Sequence, residues 1–222
     1  MLIIFDLDGT LLNTIDDLAA AANQALHTCG LPERSVQECR QFVGNGVSKL
    51  LERALPKEAC TPAVLSKMHD AFFSYYDAHL TDYTRPYSHV LELLQSLQKS
   101  GIKLAVASNK YQRATEKLMR YFFPHISFVS VLGQRENIPT KPHPQIVQDI
   151  LQIANESKAR CLYVGDSDVD MQTAQNAGVK ACAVTWGFRS RETLTKYNPA
   201  YLVDEPSQIL LLPEIQGYNQ RA

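Results

Sequence analysis

Residues 1–10 read Met1-Leu2-Ile3-Ile4-Phe5-Asp6-Leu7-Asp8-Gly9-Thr10. The apolar run Leu2–Phe5 stops at one acid, and a second acid follows two residues on. A short run that is apolar throughout, not alternating, predicts a strand buried on both faces, as in a parallel sheet. Further short apolar runs occupy residues 104–107, 128–132 (with Ser130 inside it), 161–164, 181–184 and 201–203. Amphipathic stretches lie between them. Val90, Leu91, Leu94 and Leu97 have helical spacing, and Gly101 follows as a stop. Similar helices are predicted over 113–121, 145–153, 170–177 and 207–212. This alternation predicts an α/β protein with a doubly wound parallel sheet.

Residues 14–83 break the alternation. They carry no clear strand and several helix signals. Ser35 and Glu38 form an S-x-x-E capping box. Thr61 places a cap residue ahead of Pro62 at a first helical position. Residues 63–80 are amphipathic and rich in aromatics. Met68, Phe72, Phe73, Tyr75 and Tyr76 read as the core of this insertion. The expected organisation is an α/β core of residues 1–13 and 84–222, with a small α-helical domain of residues 14–83 set into it.

The bulk composition excludes more than it assigns. Among 222 residues, 22 are Lys or Arg and 23 are Asp or Glu, so the net charge is -1. There is no basic run, which argues against a nucleic-acid partner. No apolar stretch approaches the ~20 residues that span a bilayer, so no membrane partner is expected. Asp6 interrupts the first apolar run and no basic start precedes it, so no signal peptide is expected. The five cysteines form no CxxC pair and read as reduced thiols. A cytoplasmic location follows by default, with a monomer or homodimer as the assembly.

Ligands of open α/β sheets sit beyond the carboxyl ends of the strands. The residues that follow the predicted strands are Asp6-Leu7-Asp8-Gly9-Thr10, Ser108-Asn109-Lys110 and Gly165-Asp166-Ser167-Asp168-Val169-Asp170. Pro139-Thr140-Lys141-Pro142-His143-Pro144 lies in a loop before a helix. Asp6 and Asp8 share a face if extended. A polar turn and a functional site both fit D-x-D-G-T. A calcium loop of the EF-hand type fails, because Gly stands fourth and not sixth. Asp168 reads as a solvated capping acid. Two acidic clusters at neighbouring strand ends need a positive charge between them. Mg²⁺ suits that place, because it favours carboxylates, waters and a substrate phosphate. A rigid proline loop would hold the Lys141 ammonium in one place, as a phosphate clamp requires. A polyproline ligand is the competing reading, but such ligands sit in exposed tails. His143 reads as a surface or packing residue. P-loop, dinucleotide and serine-hydrolase motifs do not occur.

With these residues in place, the sequence resembles the haloacid dehalogenase-like phosphohydrolases. The family's first motif, D-x-D-G-T, is matched from Asp6 to Thr10. Its second, a Ser or Thr at a strand end, is matched by Ser108. Its third, a Lys, is matched by Lys141, and its fourth, G-D-x-x-x-D, by Gly165, Asp166 and Asp170. The motifs stand in the family's order and span almost the whole chain. The resemblance implies a Rossmann-like core with a mobile helical cap, and a phosphatase that uses Mg²⁺ on a small-molecule phosphate ester. It implies Asp6 as nucleophile and Asp8 as general acid and base. Asp6, the Asp8 carbonyl and Asp166 would hold Mg²⁺, with Ser167 and Asp170 behind them. Asp170 would orient that set or bind Lys141. Gly9, Thr10, Ser108, Asn109 and Lys141 would take the phosphate. Lys110 and Gly44-Asn45-Gly46 would face the organic part.

Several stretches are similar to the phosphoglycolate phosphatase group within that family. They are Val43-Gly44-Asn45-Gly46-Val47, Arg85-Pro86-Tyr87, Ser108-Asn109-Lys110 and Lys141-Pro142-His143-Pro144. Asn13 and Tyr111 depart from it, standing where Asp and Pro are common. The similarity implies 2-phosphoglycolate as substrate. A sugar-phosphate phosphatase or a phosphomutase of the β-phosphoglucomutase kind keeps the same core residues. A dehalogenase needs neither the second acid nor a metal. A signalling receiver shares the acids, hydroxyl and lysine on a doubly wound sheet but lacks a helical insertion. A catalytically inactive binding protein would be expected to have lost a motif residue, and none is missing.

Overall fold

The opening apolar run forms strand β1 (Leu2–Phe5), and all four of its residues are buried to 1% exposure or less. Described from a computed structural model covering residues 1–219, the chain then passes β2 (Leu12–Asn13) and builds four helices. These are α1 (Ile15–Thr28), α2 (Val36–Phe42), α3 (Val47–Ala54) and α4 (Pro62–His79). It returns through β3 (Arg85–Pro86), which pairs with β2. Alternation follows: α5 (Val90–Lys99), β4 (Lys103–Tyr111), α6 (Gln112–Phe122), β5 (Phe128–Gln134), α7 (Gln145–Ala154), β6 (Cys161–Gly165), α8 (Asp168–Ala177) and β7 (Lys180–Val184). The chain ends with α9 (Arg191–Thr195), β8 (Tyr201–Val203), α10 (Pro206–Ile209) and α11 (Pro213–Asn219).

The main sheet has six strands in the order β5-β4-β1-β6-β7-β8. Every pairing in it is parallel. This is the doubly wound sheet predicted from the alternation. The order reverses on either side of β1, which opens a crevice at the carboxyl ends of the central strands. The register decides what reaches it. Phe5 pairs with Val106 on one side and Val164 on the other, so Asp6, Ala107 and Gly165 stand at one level.

Two details differ from expectation. β4 does not end at residue 107 but continues to Tyr111, with an irregular register between Ala107 and Tyr111. The helix expected over 207–212 is also interrupted. α10 stops at Ile209, and α11 starts at Pro213, whose missing N–H suits a first helical position.

Contacts divide the chain into two units, one of Met1–Leu12 with the chain from Pro86 onward, the other of Asn13–Arg85. The second has its own core. Met68, Phe72 and Tyr76 recur every four residues along α4 and are fully buried. The Phe72 and Tyr76 rings stack at 5.3 Å. Phe73 and Tyr75, expected in the same core, flank that stripe and are only half-buried. The Ser35–Glu38 capping box forms, and the Thr61 hydroxyl accepts the Val64 N–H. All five cysteines are free. Burial pushes the Cys161 and Cys182 thiols up to about 12, which leaves them as inert packing groups. Among the described residues, no helix is long and apolar enough to cross a membrane.

Asp17, in the first turn of α1, ties the end of this unit to its beginning. Its buried carboxylate accepts the Tyr83 N–H at 2.9 Å, the Thr84 N–H at 2.8 Å and the Thr84 hydroxyl at 2.7 Å. Asp17→Ala strands all three donors and is expected to cost about 3 kcal/mol, with Asp17→Asn costing less. Urea unfolding checks this, and an Ala variant of unchanged stability would remove the tether.

Candidate active site

Asp6 leaves β1 directly into the crevice. Its N–H donates to the Val164 carbonyl at 2.9 Å, and its Oδ1 accepts the Leu7 N–H at 2.7 Å. Lys141 Nζ stands 2.8 Å from the same Oδ1 and 2.8 Å from Asp170 Oδ1. It also donates to the Ala107 carbonyl at 2.9 Å and to the Tyr163 hydroxyl at 3.1 Å. The loop that carries Lys141 is held by Asn109. The Asn109 Nδ2 donates to the Lys141 carbonyl at 3.0 Å, and its Oδ1 accepts the Lys141 N–H at 2.8 Å.

Asp166 follows β6. Its Oδ1 accepts the Thr10 hydroxyl at 2.9 Å, and its Oδ2 accepts the Phe188 N–H at 2.7 Å. Two glycines let the backbone approach this carboxylate. A Cβ on Gly9, where φ is +90°, would lie 2.3 Å from Asp166 Oδ2, and one on Gly187 would lie 2.3 Å from Asp166 Cβ. Ser167 caps α8. Its Oγ accepts the Asp170 N–H, while its own N–H and hydroxyl donate to Asp170 Oδ2 at 3.1 and 2.6 Å. Both oxygens of Asp170 are therefore engaged, Oδ1 with Lys141 and Tyr163, Oδ2 with Ser167.

Asp6, Asp166 and Asp170 are buried, and one carboxylate oxygen from each lies within 4.8 Å of the others. Burial, reinforced by Asp170 and Asp166, raises the Asp6 carboxyl well above its usual range against the pull of Lys141. Burial and Asp170 push Asp166 up to about 7. Burial by itself would lower the Lys141 ammonium, but Asp170 and Asp6 outweigh it and raise it well above its ordinary value. The pocket is short of positive charge. Oxygen-only donors gathered this way suit a hard divalent cation.

The haloacid dehalogenase-like hydrolase family matches residues 3–184. The chain belongs to that family. A phosphoglycolate phosphatase of Vibrio parahaemolyticus is 32% identical over 214 residues, covering 94% of each chain. One of Aquifex aeolicus is 31% identical, covering 95% of each. Among solved structures, a protein of Haemophilus somnus described as a predicted phosphoglycolate phosphatase superposes with a TM-score of 0.88. It is 31% identical, and the match covers 95% of this chain and 96% of that one. As a haloacid dehalogenase-like hydrolase with these relatives along nearly its whole length, the chain is a phosphatase.

The remaining residues singled out in this hydrolase divide by place. Lys110 Nζ holds Asp8 at 3.0 and 3.1 Å from its two oxygens, and the Ser108 Oγ accepts the Lys110 N–H at 3.2 Å. Gly44, Asn45 and Gly46 lie in the helical unit, in a turn where Arg53 donates to the Phe42 carbonyl and to Asn45 Oδ1. Asp168 is a capping acid in the first turn of α8, paired with Arg189. His143 accepts the Gln145 N–H. Sequence reasoning missed Tyr163 and the loop of residues 185–189. That loop supplies the Phe188 N–H and Gly187 to Asp166, and the Trp186 Nε1 donates to the Thr10 carbonyl at 3.0 Å. A signal was available, because the loop follows β7 at the same edge of the sheet.

The approach of Gly187 to Asp166 makes a test. Gly187→Ala forces its methyl into the carboxylate and is expected to destabilise by about 1–3 kcal/mol. A urea midpoint equal to that of the unaltered protein would contradict the close packing.

Proposed function

We propose that the chain is a Mg²⁺-dependent phosphomonoester hydrolase that forms an aspartyl-phosphate on Asp6. The observation that carries this is the Asp6 carboxylate, held 2.8 Å from the Lys141 ammonium beside Asp166 and Asp170. Phosphate monoesters hydrolyse extremely slowly unaided. A carboxylate nucleophile divides that barrier into two lower ones. Asp6 attacks phosphorus and carries the phosphoryl group. Asp8 protonates the leaving alkoxide, then takes a proton from the water that frees phosphate. Lys110 orients Asp8 before substrate arrives and faces the organic part. Lys141 and Ser108 donate to the transferring oxygens, and Asn109 serves by fixing Lys141. Thr10 and Gly9 shape the floor around Asp166.

Asp6, the Asp8 carbonyl and Asp166 would hold Mg²⁺, and Asp170 and Ser167 would stand behind them. Bound there, Mg²⁺ would neutralise charge on the transferring phosphoryl group. We take the helical unit to be a cap that excludes water during turnover, with Gly44-Asn45-Gly46 meeting the organic part. The names of the relatives support 2-phosphoglycolate as substrate. A cytoplasmic enzyme fits the five free cysteines.

Asp6→Asn is expected to lower kcat by about 10³-fold or more while circular dichroism and Tm stay near those of the unaltered protein. Normal turnover in that variant would refute the nucleophile. EDTA should stop hydrolysis and added Mg²⁺ restore it, so full activity in metal-free buffer would take the metal out of the account. Across a panel of small phosphate esters, 2-phosphoglycolate should give the highest kcat/KM. Equal rates on sugar phosphates would keep the phosphatase and discard this substrate.

A further inference from the structure

Tyr163 belongs to no motif, and the chemistry above does not use it. It lies on β6 and is fully buried. Its phenol oxygen is 3.1 Å from Lys141 Nζ, 3.1 Å from Asp170 Oδ1 and 3.4 Å from the Ala107 carbonyl. A hydroxyl buried in a strand core costs free energy unless it is bonded, and a phenylalanine would fill the same space.

The proton inventory shows what the hydroxyl adds. An ammonium carries three protons. Asp6 Oδ1, Asp170 Oδ1, the Ala107 carbonyl and the Tyr163 hydroxyl lie 2.8, 2.8, 2.9 and 3.1 Å from Lys141 Nζ, four acceptors for three protons. An incoming phosphoryl oxygen must therefore displace one of these acceptors. If the ammonium turns from Asp170, that buried Oδ1 keeps a donor only through the Tyr163 hydroxyl. The phenol oxygen meanwhile remains beside Nζ and limits how far the ammonium swings.

We propose that Tyr163 is a positioning residue for Lys141. Its hydroxyl bonds Asp170 Oδ1 and flanks the ammonium. Lys141 is thereby free to turn an N–H toward the substrate's phosphoryl group without stranding a buried carboxylate. This rests on the reading of Lys141 as the phosphate clamp.

The test is a double-variant cycle of Tyr163→Phe and Lys141→Met on the best ester of the panel with Mg²⁺. Orthovanadate inhibition is measured beside kcat and KM, as a mimic of the transferring group. Tyr163→Phe is expected to lower both kcat/KM and vanadate affinity about tenfold, the loss of one hydrogen bond to a charged group, with Tm unchanged. In the Lys141→Met background it should add nothing. Values within about twofold of the unaltered protein would make the phenol a core filler and overturn the proposal. A tenfold loss that persists without Lys141 would overturn it as well. Wild-type kcat/KM in Lys141→Met alone would instead remove the clamp itself, an outcome distinct from the other two. If Lys141→Met does not fold, Lys141→Arg takes its place in the cycle.

Discussion

A single buried ammonium holds the carboxyl edge of this sheet together. Lys141 reaches Asp6 on one side and Asp170 on the other, each at 2.8 Å. Moving such ions out of water costs several kcal/mol per ion, and attraction offsets that only when geometry is good and the remaining lone pairs are bonded. The surrounding residues meet that condition. Ser167 satisfies Asp170, Thr10 and Phe188 satisfy Asp166, and Asn109 fixes the loop that delivers Lys141. Few of these contacts are needed for the sheet to form. They hold in place charges that the fold would be more stable without, as functional sites commonly do.

The parallel register makes the arrangement possible. β1 pairs in step with both β4 and β6, so residues more than a hundred positions apart emerge side by side. A slip of one residue would turn Asp6 into the core and Phe5 toward the crevice. The fully apolar run Leu2–Phe5 resists neither slip by alternation. The hydrogen bond from Asp6 N–H to Val164 and the requirement to bury every residue before the acid set the position.

Those same features explain what was legible. Short apolar runs announce parallel strands, and each of the six falls on a strand of the main sheet, although the edge strands β5 and β8 are only partly buried and β4 runs on to Tyr111. Acids, a hydroxyl and a lysine directly after such runs marked the edge. Tyr163 was hidden because an aromatic inside an apolar run looks like core, and only its hydroxyl partners tell otherwise. The 185–189 loop was hidden because its work is done by a backbone N–H and the missing side chain of Gly187. Neither registers in a search for reactive side chains. Asp17 escaped for another reason. A helix first turn favours Asp anyway, so its tie to Tyr83 and Thr84 leaves no separate mark in the sequence.

The overall charge of -1 conceals a strong local field. At the crevice, three carboxyl groups face one ammonium, so ionising all three leaves negative charge in excess. The Asp8–Lys110 pair beside them cancels itself. A phosphate monoester brings about two further negative charges near neutral pH. Burial sharpens every repulsion among these groups, and the raised Asp6 and Asp166 carboxyls register it already. One divalent cation, held as proposed, would offset that excess. Lys141, turned toward the phosphoryl group as proposed, would meet part of what the substrate adds. The proposed Mg²⁺ and the proposed turn of Lys141 would thus answer one and the same excess of negative charge.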